Sequence, residues 1–503
     1  MLARNSALNA AGIALPLALG FFLLPVLAHE LGAARFGVLA LAWGLLEYLG
    51  LFDIGIGRAT TRLVADALPR SPREVSQIVA RGLVMQTLLG TLGGILLVAA
   101  TPAILSRVLE LPPALAAEAR STFFVVGATL PVVLVSVGLR SVIEAAERFD
   151  LGALIRVPSA SSTFVVPAAA AWLGADLPRI MLLLLATRVL TVIALGAAAQ
   201  RAVPELRFEV PRHWGRARST LAFGGWLTFS NLANPVFLYL DRFVLGAVVG
   251  VAAVGFYTSP FELTFRALLI PMGITGALFP HLSAALGAGN ARRVEQLYGR
   301  SLRYLGIVML PVGAVMMVGA STLLTLWLGP EFAANSADAM RILGVGLVAN
   351  ALAQVPTTYL HALGRPDVCA KGHAAELVLH IPMTFALVHA FGIAGAAAAW
   401  TLRVTIDVVY LLLATRRVAG LGAGSALLGR VAPAAAALAA LALGLGAGAA
   451  AGLRTATGLG FASAGLALYA LVTWRFVLDE AERASVASLL PRPAARATSE
   501  SGA

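Results

Sequence analysis

Charged side chains interrupt the long apolar runs of this sequence at only a few points. Arg58 follows Asp53 by five residues, Arg188 sits midway along an apolar run, and Asp241 and Arg242 are neighbours. Glu262 and Arg266 are one helical turn apart, as are Arg403 and Asp407. An arginine fork can hold two oxygens of a phosphate or carboxylate and stays charged at any relevant pH. Two readings of these groups stay open. An i,i+4 pair can simply neutralise itself between packed helices. Charges deep in an apolar bundle can instead face a wet cavity, where they bind a ligand or gate access to it. Asp53 and Arg58 are out of helical phase for a pair within one helix, and Arg188 has no opposite charge nearby, which favours the cavity for both arginines. Asp241 and Arg242 end an apolar run, where an interfacial anchor is the plainer reading and gating the sharper one.

Other polar residues invite less. Glu47, Asn231 and Asn234 read as packing hydrogen bonds on apolar helices. His373, His380 and His389, spaced seven and nine apart, are poorly placed to share a metal ion along one helix. The single Cys369 excludes a disulfide framework and a cysteine metal cluster. No GxxxxGK[ST] run occurs, so no ATP site is expected.

The elements that must position these charges are membrane helices. The 503 residues are 59% hydrophobic and 12% charged, with a mean hydropathy of +0.86. Soluble chains run nearer half apolar and a quarter charged, so lipid must cover part of the surface. Apolar runs of about 20 residues cross the hydrocarbon core as helices. They fall at 6–28, 37–65, 80–105, 119–143, 153–173, 178–199, 219–240, 244–284, 303–328, 337–362, 372–391, 394–415, 429–450 and 456–478. The expectation is an all-α integral membrane protein of fourteen spans, without the period-2 alternation of a β-barrel.

The net charge of +12 comes almost wholly from arginine, concentrated in alternate gaps. The even gaps carry about twenty Arg and Lys, including Arg70, Arg73, Arg148, Arg292, Arg365 and Arg417, against seven in the odd ones. That bias puts the even gaps and both termini in the cytoplasm and removes nucleic acid as the reason for the charge. Arg4 and the small residues around Val26-Leu27-Ala28 imitate a signal peptide, but the first run is too long for one, and its retention is expected.

The chain also repeats itself at an offset of about 218 residues. Gly32 and Gly37 match Gly250 and Gly255; AAERFD (145–150) matches ALGRPD (362–367); Gly174 matches Gly392. An even number of helices separates the copies, so they share one orientation and a pseudo-two-fold axis along the membrane normal. The organisation expected is an N-terminal lobe at 1–200, a cytoplasmic linker at 201–218 and a C-terminal lobe at 219–418. A helix pair at 419–480 and a disordered cytoplasmic tail at 481–503 follow. Pro16, Pro25, Pro235, Pro260 and Pro271 should kink helices and free backbone carbonyls.

DIGIGR (53–58), LDRFVLGAVVGVAAVGFY (240–257), MRILGVGLVANALAQVPTTYLHALGRPD (340–367) and FGIAGAAAAW (391–400) occur in this order within a six, six and two arrangement. In this the chain resembles the polysaccharide and O-antigen flippases of the multidrug/oligosaccharidyl-lipid/polysaccharide exporter superfamily. The resemblance implies a transporter and not an enzyme. Its two lobes would enclose a cavity that passes a polyprenyl-diphosphate-linked oligosaccharide from the cytoplasmic to the outer leaflet of the bacterial inner membrane. On that reading Arg58, Arg188, Arg266, Arg403 and Asp53 face the cargo, and Glu262, Asp407, Asp241 and Arg242 couple or gate. No cofactor is implied, although a proton or sodium ion could couple through Asp53, Glu262 or Asp407. Membrane lipids, a polysaccharide polymerase and export machinery are the partners implied. A lipid II flippase and a drug/cation antiporter of the same superfamily are the neighbouring alternatives, and a membrane glycosyl polymerase or ligase is the distant one.

Overall fold

The computed structural model describes residues 2–50, 53, 55–109, 111–208, 237–419, 431–452, 455–478, 480, 482 and 483. The first part of the seventh span, with Asn231, Asn234 and Pro235, most of the linker and nearly all of the tail lie outside the described residues, as does the side chain of Glu47. Every described element is helical, as lipid demands of a chain that must satisfy its backbone within each span. In order they are α1 (Leu2–Gly50), α2 (Ile56–Ala67), α3 (Pro72–Ala103), α4 (Pro113–Ala145), α5 (Phe149–Trp172) and α6 (Leu177–Ala202). There follow α7 (237–248), α8 (Val251–Ala267), α9 (Leu269–Gly287), α10 (Ala291–Leu328), α11 (Pro330–Ala362), α12 (Pro366–Ala419), α13 (Val431–Ala450) and α14 (Ala456–Val472). Five-residue π-helical segments, Ile104–Val108 and Thr473–Val477, extend α3 and α14.

Among the described residues, ten helical segments are long and apolar enough to cross a membrane. Two of them are each two spans joined at a left-handed glycine: α1 breaks at Gly32 (φ 69°) and α12 at Gly392 (φ 57°). With α7 and α13, only partly described, the architecture is consistent with fourteen spans. The long second span is in fact the second half of α1 and then α2, and the long eighth run is divided into α8 and α9. Pro271 accounts for the latter break, because it offers no N–H to the Ala267 carbonyl four residues back and its ring crowds that turn.

Across the repeat, four of the matched glycines share the sign of φ, and the two matched hairpins share a cap. Gly32, Gly174, Gly250 and Gly392 all have positive φ. At the AAERFD and ALGRPD hairpins, the helix ends in the same pair of bonds. The Glu147 N–H donates to Glu144 O and Arg148 N–H to Ile143 O; Gly364 N–H donates to His361 O and Arg365 N–H to Leu360 O. This is the two-bond C-terminal cap that calls for a left-handed residue. The second copy supplies glycine, whereas the first makes Glu147 adopt φ 56°.

The chain divides into two compact units. The first comprises Met1–Ala267, Leu323–Gly346 and Asp367–Asp407. Within it α4 packs on α3 and α6, and α1 packs on α5 and α8. One apolar core, including Val64, Val75, Val79, Val142, Leu195 and Ala199, ties α2, α3, α4 and α6 together. The second unit comprises Leu268–Thr322, Leu347–Pro366 and Val408–Ala503. There α13 and α14 approach so closely that a Cβ on Gly444 or Gly465 would meet the other helix's backbone. The Tyr469 hydroxyl donates to Ile307 O at 2.8 Å, pinning α14 to α10.

Candidate functional site

The first unit collects most of the intramembrane charges into one buried network. Asp241 and Arg242 on α7 are 1% and 4% exposed, and so belong to the interior and not to an interface with water. The Arg242 guanidinium donates from Nη2 to Glu262 Oε1 at 3.2 Å, and Glu262 Oε2 lies 3.2 Å from Arg266 Nη1. Arg266 Nε reaches across to Leu17 O of α1 at 3.2 Å. Gly20, one turn on, leaves the room: a Cβ there would collide with Arg266 Nη2.

Aromatic faces complete the packing where oxygens do not. Arg242 stacks over Tyr239 and Phe261, each 5.1 Å from the ring centre, and Arg266 lies over Phe164 at 5.5 Å. Such cation–π contacts are worth about 2 kcal/mol or more when desolvated, comparable to a hydrogen bond to a charged group. Asp241 accepts from its neighbour's backbone, Arg242 N–H, at 2.8 Å and from the Tyr257 hydroxyl of α8.

Arg403 extends the network onto α12. Its Nη1 donates to Glu376 Oε2 at 3.3 Å, and its guanidinium lies 4.5 Å from the Phe237 ring centre. The partner is therefore not Asp407, one turn away, but a residue on the other half of α12. The break at Gly392 folds the two halves together, and Gly395 allows it by lying directly against the Leu387 carbonyl. Asp407 remains within electrostatic reach of Arg403, as does Asp241. Glu376, Asp407 and Arg403 are 5%, 7% and 8% exposed.

Three expected residues lie elsewhere. Asp53 is buried at the start of α2, where its Oδ2 accepts Gly57 N–H at 2.6 Å and its Oδ1 accepts Gln86 Nε2 at 2.5 Å. The first bond satisfies an N–H in the first turn of α2, and the second ties that turn to α3. Arg58, one residue beyond Gly57, is exposed on α2. Arg188 is half-buried on α6 and donates from Nη2 to Thr163 Oγ1 of α5 at 3.2 Å. One turn along, Thr191 Oγ1 donates to Ser159 Oγ at 3.2 Å, so α5 and α6 share a hydroxyl-rich face beside the guanidinium.

Sequence spacing missed Glu376 and Tyr257. Contacts between helices have no fixed separation in sequence, so no i,i+4 rule could reach them. The available signal was only that Glu376 is an acidic residue within an apolar run. The histidines fall where packing puts them: His380 is buried beside Phe237, and His389 is exposed. Among the described residues no group of His, Cys, Asp and Glu could hold a metal ion.

The chain matches the family model described as "Polysaccharide biosynthesis protein" over residues 2–286 and the MatE model over residues 227–386. It is 27% identical over 409 residues to the Shigella flexneri protein named "Putative O-antigen transporter", covering 81% of this chain and 96% of that one. It is 22% identical to "Uncharacterized membrane protein EpsK" of Bacillus subtilis (strain 168), over 71% of this chain and 70% of that one. A shorter match, 26% identical over 36% of this chain and 38% of that one, is to "Probable flippase AglR" of Haloferax volcanii. Among solved structures, the inward closed lipid II flippase MurJ superposes with a TM-score of 0.73 at 12% identity, covering 92% and 97% of the two chains. An inward-facing MATE family multidrug transporter gives 0.68 at 15%, over 82% and 98%. At these identities the superpositions establish the fold alone. With one family model matched over more than half of the chain, the protein belongs to the polysaccharide biosynthesis protein family and is a multi-pass membrane protein.

Proposed function

We propose that this protein flips a polyprenyl-diphosphate-linked oligosaccharide from the cytoplasmic to the outer leaflet of a bacterial inner membrane, by alternating access, for export of a surface polysaccharide. The observation that carries the reading is the match to a protein named as an O-antigen transporter, over 96% of that protein's length. Both termini and the arginine-rich gaps are assigned to the cytoplasm, where the cargo is loaded. A polysaccharide polymerase and export machinery are the partners downstream.

The chemistry of the first unit supports the assignment. A diphosphate cannot enter hydrocarbon bare, and it needs cations in a wet passage. Arg58 offers an exposed guanidinium, and Arg188 one set beside the hydroxyls of Thr163, Ser159 and Thr191, which suit phosphate and sugar alike. Arg266 and Arg403 sit deeper and are tied to carboxylates, a disposition suited to holding helices in register while cargo passes. Two negative charges carried outward across about 100 mV would gain roughly 4–5 kcal/mol, enough to bias the cycle. A proton or sodium ion taken up at Glu262 or Asp407 would be the second contribution. Undiminished flipping after collapse of every ion gradient would remove both.

The test is flipping in proteoliposomes of a lipid-linked oligosaccharide, with lipid II as competing cargo. Wild-type protein is expected to move the oligosaccharide in preference to lipid II, and Arg58→Ala and Arg188→Ala each to slow it severalfold. Full activity in both variants would remove these arginines from the path, and preference for lipid II would replace the cargo.

A further inference from the structure

The α1–α8 crossing in the first unit has an unusual symmetry. A Cβ added to Gly37 of α1 would run into the Val251 carbonyl of α8, and one added to Gly255 of α8 would run into the Ala33 carbonyl of α1. Val251 lies 218 residues after Ala33, and Gly255 lies 218 residues after Gly37. The two contacts are the same contact, made once in each direction by equivalent residues of the repeat. Reciprocity of this kind defines a two-fold interface, so the pseudo-two-fold axis passes between Gly37 and Gly255. Both glycines follow gaps poor in arginine, on the side assigned to the outer face.

Next to this crossing is an apolar plug. Phe36 of α1, Phe256 of α8 and Phe332 of α11 are all buried, with ring centres 6.4 Å apart for Phe36–Phe332 and 5.1 Å for Phe256–Phe332. Ser336, one turn beyond Phe332 and fully buried, donates to the Phe256 carbonyl at 2.8 Å. That carbonyl is the one Pro260 leaves without an N–H partner four residues on.

We infer that the Gly37–Gly255 crossing and its Phe36, Phe256, Phe332 plug form the outer gate of the transport path, closed in this structure. Backbone meets backbone at the crossing, so no side chain can flex to make way, and the gate can open only by separation of α1 from α8. Because the contact is reciprocal, a single added methyl on either glycine wedges both halves of it. The inference deepens the flippase reading by naming the barrier the cargo must pass.

Its test begins without cargo. In a Cys369→Ala background, which removes the chain's one native thiol, a cysteine is placed at Phe332 and labelled from outside with a membrane-impermeant maleimide. Labelling is expected to be slow with both glycines intact, and severalfold faster in Gly37→Ala and, separately, in Gly255→Ala. A second arm keeps both glycines: labelling of Phe332→Cys should accelerate when lipid-linked oligosaccharide is supplied to cytoplasmic-side-loaded proteoliposomes. Labelling unchanged by either methyl in monodisperse protein would overturn the gate. So would fast labelling of Phe332→Cys at rest, or a rate that cargo leaves unchanged in vesicles that flip it. Faster labelling in the alanine variants with no flipping by wild type would leave the gate standing and sink the cargo assignment instead.

Discussion

At the scale of single residues, the buried network makes the sharpest forecasts. Arg403 faces Glu376 and Asp407 with little water to screen either. Removing one partner of such a group costs about 3–5 kcal/mol, because the other charge is stranded. Arg403→Met should therefore lower the thermal midpoint in detergent strongly, and adding Glu376→Gln to it should recover part of the loss. Equal midpoints for the single and double variants would show that Glu376 is not the partner that matters. Asp53→Ala strips the Gly57 N–H and the Gln86 amide of their acceptor together, a loss of roughly 1–3 kcal/mol. Glu147 predicts the opposite sign. A left-handed backbone costs an L-residue about 1–2 kcal/mol, so Glu147→Gly should raise the midpoint once the greater freedom of glycine in the unfolded chain is deducted. These residues also show what sequence could and could not say. The charge at Asp53 was legible, but its bonds at the start of α2 were not, because the run 37–65 reads as one span and gives Asp53 to a cavity. Glu376 likewise became visible as a partner only once the chain had folded at Gly392.

Among elements, proline reads most clearly. Pro25 and Pro260 were expected to free carbonyls, and both do, but neither carbonyl is left for water. Phe21 O, four residues before Pro25, accepts Trp327 Nε1 at 2.9 Å, with the Trp327 ring stacked on Phe21 at 5.3 Å. Phe256 O accepts Ser336 in the same way. Each kink is thus clamped by a side chain from a later helix. Trp327→Phe keeps the stacking surface and removes the donor, at an expected cost of about 1 kcal/mol. With Pro25→Ala in place the carbonyl regains a helical partner, and the same tryptophan change should cost almost nothing. A double-mutant cycle on thermal stability measures the difference, and additive effects would refute the clamp. Element boundaries were legible at the glycines of 32 and 392, whereas Pro271 reads as a kink within one run and in fact separates α8 from α9. The side chains that clamp the kinks were not legible, since nothing near Pro25 in sequence points to Trp327.

The molecule as a whole was the most legible level, because lipid acts on every span alike. Hydropathy located the spans, and the helical segments and family match bear out a multi-pass helical membrane protein. Sidedness rests on arginine distribution. It predicts that in intact cells an impermeant maleimide labels Glu331→Cys, beyond α10, and leaves Asn290→Cys, between α9 and α10, unlabelled until the membrane is permeabilised. The reverse pattern would invert the topology and every statement about direction. In the second unit, Glu482 is 1% exposed and holds Arg303 at 2.6 Å, so the chain is anchored beyond its last span. Removal of residues 479–503 should therefore lower stability, whereas removal of 485–503 should not.

The reciprocal contact at Gly37 and Gly255 also bears on descent. When a gene duplicates and fuses, a two-fold interface between identical subunits becomes an interface between two stretches of one chain, and each side is then free to drift. Here both sides have kept the glycine, and each still meets the carbonyl its twin meets. Two half-length chains could assemble through this same crossing. Split between α6 and α7 and expressed as two polypeptides, the chain should still find this seam and reassemble.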